Sequence, residues 1–71
     1  MRLREFRQAR GLTQTEVGAV IGKSAPTVYR LEMGLKPIRL PELRKLAAFF
    51  GVSVAELIDD QPRNGQEHAG G

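Results

Sequence analysis

The sequence contains no cysteine, a single histidine (His68), and no apolar run approaching the roughly 18 residues that a membrane-spanning helix requires. Without cysteine there is no disulfide framework and no thiolate metal site, and one histidine alone builds no imidazole site. Ser24 and Ser53 read as helix caps, not nucleophiles, because no histidine lies in an ordered segment to activate them. No glycine pattern forms a phosphate loop. An enzyme is therefore not expected, nor a metal, a cofactor or a small-molecule ligand. The opening MRLREFRQARG lacks the apolar stretch of a signal peptide, so the cytoplasm is the expected compartment and no membrane partner is expected. Strand alternation and internal repeats are also missing, which leaves helices as the building material.

What is present is one small domain. At 71 residues the chain buries only about 60% of the surface its unfolded form exposes, so each apolar residue matters to the core. The net charge is +3 and the sequence pI about 10.0. Its distribution is uneven. Residues 1–45 hold ten Lys and Arg against Glu5, Glu16, Glu32 and Glu42, a surplus of six; residues 46–71 hold Arg63 against Glu56, Asp59, Asp60 and Glu67, a deficit of three. A basic body with an acidic end suits a polyanionic partner, although solubility alone also explains such a surface.

Five helices are legible. The first covers Met1 to Arg10, with Leu3 and Phe6 at helical spacing, and ends at Gly11. Thr13 and Glu16 form a capping box, Leu12 and Val17 a hydrophobic staple, and helix two runs from Gln14 to about Ile21. After Gly22, Ser24 is the next cap, Ala25 and Pro26 fill the first turn, and helix three continues to about Met33, stopped by Gly34. Leu35 to Leu40 form a loop. Helix four starts near Pro41 without an evident cap, buries Leu43, Leu46, Ala47 and Phe50, and stops at Gly51. Ser53 with Glu56, and Val52 with Leu57, repeat the box and staple for a short helix five that ends by Asp60. Gln61 to Gly71, rich in Gly and polar residues, reads as a disordered tail, so that residues 1–60 form the domain.

Helices two and three meet the requirements of a helix-turn-helix. Gly18 is small enough for two helices to cross closely, and Gly22 tolerates the positive φ of a sharp turn. Val28 and Leu31 face inward against Val17 and Ile21, while Thr27 and Arg30, with Tyr29 beside them, remain on the outer face. Such a motif points to double-stranded DNA. The segments LREFRQARGLTQ, IGKSAPTVYRLEMG and LRKLAAFFGVSVAELI, spread over Leu3 to Ile58, resemble the phage-repressor-like helix-turn-helix proteins, the xenobiotic response element family. The resemblance implies an all-α, five-helix, lambda-repressor-like domain. It also implies a sequence-specific transcriptional regulator, a repressor in the reading adopted here, that acts as a homodimer on a palindromic operator.

The same resemblance assigns roles. Gln14 matches a phosphate-contacting glutamine at the start of helix two, where it otherwise reads as a solvent-facing helix starter. Arg7 and Glu32 match an ion pair that fixes helix three to helix one and aims the guanidinium near the DNA backbone; otherwise they are two surface charges. Ala25, Pro26, Thr27, Tyr29 and Arg30 are the groove-facing positions. Arg30 suits the O6 and N7 edge of guanine, with a phosphate as its alternative. Thr27 fits a base edge or thymine methyl, and Tyr29 a phosphate or the margin of the core. Lys23 and Ser24 at the turn, and Lys36 and Arg39 in the following loop, are phosphate candidates, with solvated surface as the other reading of the loop cations. Ala25 and Pro26 replace longer polar readers, which shifts discrimination toward thymine methyls and DNA shape. Lys23 stands where an apolar residue is common, so its stem must snorkel. Phe49 and Ile58 either form an apolar patch for the two-fold interface or complete the core. A rival reading keeps the scaffold but makes it an antitoxin-like or anti-regulator module whose ligand is another protein.

Overall fold

A computed structural model describes residues 1–59, and all regular structure among them is helical: α1 (Leu3–Ala9), α2 (Gln14–Ile21), α3 (Ala25–Glu32), α4 (Leu40–Phe50) and α5 (Val54–Ile58). The all-α, five-helix expectation is met. The expected tail, Gln61 to Gly71, lies outside the described residues.

The two capping boxes read from the sequence are present. Glu16 N–H donates to Thr13 Oγ1 at 3.0 Å and Thr13 N–H to Glu16 Oε1 at 2.8 Å. Glu56 N–H donates to Ser53 Oγ at 3.0 Å and Ser53 N–H to Glu56 Oε1 at 3.1 Å. Ser24 occupies the cap position of α3, but its hydroxyl caps no amide and instead shares a 3.3 Å hydrogen bond with Thr27 Oγ1. The two caps that form elsewhere use the third helical amide, whereas at α3 the hydroxyl of the third helical residue, Thr27, takes up the Ser24 hydroxyl instead. The start of α4 uses half of a box, with Arg39 N–H donating to Glu42 Oε1 at 3.4 Å.

All five helices contribute to one core: Leu3, Val17, Ile21, Val28, Leu31, Leu43, Leu46, Ala47, Phe50 and Leu57. The staple residues Leu12 and Val52 pack against it as predicted. Two clamps tie the ends of the fold together. Arg2 N–H donates to the Leu57 carbonyl at 2.7 Å, joining the start of α1 to α5. The Arg10 guanidinium donates to the Phe49 and Phe50 carbonyls, at 3.2 and 2.9 Å, and lies over both rings. Arg10 thus satisfies carbonyls at the end of α4 that have no partner within the helix.

Candidate nucleic-acid interface

The turn between α2 and α3 is fixed by two glycines for two different reasons. Gly22 sits at φ 69°, ψ 33°, a left-handed conformation in which other residues are strained. Gly18 is buried in α2, and a Cβ there would overlap the Lys23 carbonyl oxygen and press on Val28. Lys23 N–H in turn donates to the Gly18 carbonyl at 2.9 Å. The small residue anticipated at the crossing is therefore a requirement of this backbone, and the helix propensity that glycine forgoes is the cost of the close approach.

The turn delivers α3 with a buried inner face, Val28 and Leu31, and an outer face carrying Pro26, Tyr29 and Arg30 in solvent, with Ala25 and Thr27 half-buried beside them. Arg30 and Lys36 have no ion-pair partner among the described residues, and Lys36 and Arg39 are exposed on the connection to α4. All five groove-facing candidates thus lie on one short helix, with the loop cations just beyond its C-terminal end. Two further apolar side chains are exposed nearby, Leu35 on this connection (69% exposed) and Leu40 at the first position of α4 (50%).

Behind α3 lies a polar cluster centred on Glu32. Its side chain is fully buried (0% exposed), and that of Arg7 is 12% exposed. Arg7 Nε donates to Glu32 Oε2 at 2.6 Å and Nη2 to Oε1 at 3.2 Å, a two-pronged ion pair. Arg7 Nη1 donates to the Leu12 carbonyl at 2.9 Å, and Gln14 Nε2 to Glu32 Oε1 at 3.1 Å. The α1–α3 ion pair suggested by the resemblance is present, and all three guanidinium nitrogens of Arg7 are engaged inside the protein. Gln14 was not foreseen as a member of this cluster. Its amide is held at the start of α2 by the same carboxylate that anchors the end of α3.

Lys23 is likewise engaged: its Nζ lies 3.3 Å from Glu42 Oε2 on α4. Burial pushes the Glu42 carboxyl upward, but the Lys23 hydrogen bond, the Arg39 N–H and the charges of Lys23 and Arg39 outweigh it and hold the group below the ordinary value of 4.5. Nothing local in the sequence signals this pair. Only the Glu42 half of the box was findable, from its position three residues after Arg39.

Phe49 and Ile58 are 40% and 47% exposed, so neither completes the core. Phe49 packs edge-on against Phe50 with ring centroids 5.0 Å apart. No group of three or more His, Asp or Glu residues suited to a metal ion occurs among the described residues, and no helix among them is long and apolar enough to cross a membrane.

Comparison with known proteins agrees with this geometry. The helix-turn-helix family model matches residues 3–57. The chain is 38% identical over 63 residues to a cryptic phage CTXphi transcriptional repressor, RstR, of Vibrio cholerae, covering 89% of this chain and 57% of that protein. It is 35% identical over 69 residues to the HTH-type transcriptional regulator DdrOP3 of Deinococcus deserti, covering 97% of this chain and 54% of that protein. The chain therefore spans a little over half the length of the curated relatives it matches. Both are named as regulators of transcription and neither as an enzyme. No solved structure matches significantly. A sharp left-handed turn, a helix anchored by its inner face and a family match across all five helices place this chain in the helix-turn-helix family.

Proposed function

We propose that residues 1–60 form a sequence-specific binder of double-stranded DNA that represses transcription as a homodimer on a two-fold operator, with α3 in the major groove and residues 61–71 as a tail. The observation that carries this reading is α3 itself. Its inner face is locked into the core, its C-terminal end is anchored by the buried Arg7–Glu32 pair, and its outer face presents Arg30 without an ion-pair partner among the described residues. A guanidinium so placed suits the O6 and N7 of guanine, a contact worth about 1–3 kcal/mol of discrimination. Ala25, Pro26, Thr27 and Tyr29 complete the reading surface. Gln14, Ser24, Lys36 and Arg39 take the phosphates, and Arg7 acts through the orientation it gives Gln14 and α3. Phe49 and Ile58 supply the apolar contact between copies. The named repressor and regulator among the relatives support the regulatory role, and a regulator of DNA works in the compartment that holds it, the cytoplasm expected from sequence.

The test is selection of bound sites from random duplexes, followed by two variants. Arg30→Ala is expected to relax base preference at one position of each half-site by roughly tenfold. Gln14→Ala should weaken all duplexes alike. Equal losses on every duplex for both variants would overturn the division of labour, and failure of the protein to bind any duplex at low salt would overturn the function.

A further inference from the structure

We infer that Glu42 is a positioning residue for DNA reading, one that sets the entry of α3 by holding Lys23, and that the Lys23 charge is used inside the protein rather than on a phosphate. This rests on the DNA-binding reading above.

Residue 23 is the hinge point between α2 and α3. It follows the left-handed Gly22 and precedes the cap position of α3. Its backbone is gripped from one side by α2, through the Lys23 N–H to Gly18 carbonyl hydrogen bond at 2.9 Å and the close approach of the Gly18 Cα to the Lys23 carbonyl. From the other side α4 grips its side chain, through the 3.3 Å contact with Glu42 Oε2. The other Glu42 oxygen accepts the Arg39 N–H, so the carboxylate is itself fixed to the first turn of α4. The Glu42 side chain is 16% exposed and that of Lys23 39%, so solvent reaches the pair mainly from the ammonium side and screening reduces its strength. A backbone hydrogen bond resists translation of the turn but leaves a rotation about it soft. The side-chain contact, reaching a different helix, opposes that rotation. Because α3 is only eight residues long, a small rotation at its start moves every reading side chain. The cluster at Glu32 fixes the far end of α3, and Glu42 through Lys23 fixes the near end.

The experiment measures affinity for a duplex recovered by selection and for a random-sequence duplex, across a salt series, for the full chain and for Lys23→Met, Glu42→Gln, the double variant and Lys23→Arg. Glutamine retains the capping acceptor, so Glu42→Gln keeps the start of α4, and thermal unfolding confirms folding of each variant. Both single variants are expected to lose about three- to tenfold in discrimination between the two duplexes. The double variant should lose no more than either single, the signature of residues that act as a pair. Lys23→Arg should retain the wild-type discrimination. The slope of log affinity against log salt should be the same in Lys23→Met as in the wild type. A slope shallower in Lys23→Met by about 0.9 per bound copy, hence about 1.8 for two copies on one site, would mean that the ammonium sits on a phosphate and would overturn the inference while leaving the function intact. Additive losses in the double variant would also overturn it. A wild-type protein that ignores both duplexes removes the functional reading and this inference together.

Discussion

Among the single described residues, Glu32 carries a large electrostatic risk. Its side chain is fully buried, and the two-pronged contact from Arg7 compensates its charge. Removing one partner of a buried pair leaves the other charge desolvated, at a cost of about 3–5 kcal/mol. For a domain of this size that approaches the whole folding free energy of about 0.05–0.15 kcal/mol per residue. Arg7→Met should therefore abolish most of the helical circular dichroism at 25 °C. Arg7→Met/Glu32→Met, which removes both charges, should refold. Arg30→Ala, at an exposed residue without an ion-pair partner among the described residues, should change stability by less than about 0.5 kcal/mol. An Arg7→Met protein that unfolds in urea at the wild-type midpoint would show that the buried carboxylate finds other compensation. Since the same cluster orients Gln14, this residue links stability to the proposed backbone contact.

For the helices, the contrast lies between caps that form and one that does not. The hydroxyls of Thr13 and Ser53 each accept an amide, so Ser53→Ala should cost about 1 kcal/mol in urea unfolding. Ser24 accepts none, so Ser24→Ala should cost no more than a few tenths. Equal costs at the two positions would contradict the hydrogen bonding at the start of α3. The same contrast explains what could be read from sequence. Capping boxes and staples are short-range grammar, and they set the starts of α2 and α5 correctly. The cap position of α3 is Ser24, as its place in the sequence suggests, but its hydroxyl pairs with the Thr27 hydroxyl and not with an amide, a choice that position alone does not reveal. The start of α4 had no legible cap because Glu42 supplies its half without a Ser, Thr, Asn or Asp before it. Long-range pairs were legible only where a family pattern carried them. Arg7 and Glu32, 25 residues apart, were found through resemblance, whereas Lys23–Glu42 and the Arg10 clamp on α4 join residues whose meeting only the packed fold determines. Gly18 shows the reverse case: its smallness was legible from the demand of a tight crossing, and the fold adds the partner, the Lys23 carbonyl.

At the scale of the whole molecule, the surplus of six positive charges in residues 1–45 already sets Arg7 and Lys23 against Glu32 and Glu42, and it survives as eight other cations against Glu5 and Glu16. On the proposed assignment, each copy places Lys36 and Arg39 on phosphates. Counterion release then gives a slope of log affinity against log salt of about −1.8 for one bound copy and about −3.6 for two on one site. Between 50 and 200 mM salt the paired form should lose roughly 150-fold in affinity and a single copy roughly 12-fold. The number of copies is therefore readable from salt alone. It can be set independently through Ile58, which is 47% exposed and lies far in sequence from the reading helix. Ile58→Ser should leave the fold intact, halve the slope and shorten the footprint from two half-sites about 34 Å apart to one. A slope near −3.6 with a two-fold footprint that survives Ile58→Ser would move the contact between copies elsewhere, for which the exposed Leu35 and Leu40 are the next surface to substitute. A slope near zero would mean that phosphates are not the ligand. The apolar pair Phe49 and Ile58 would then be better explained as the seat of a protein partner, whose affinity salt would scarcely change.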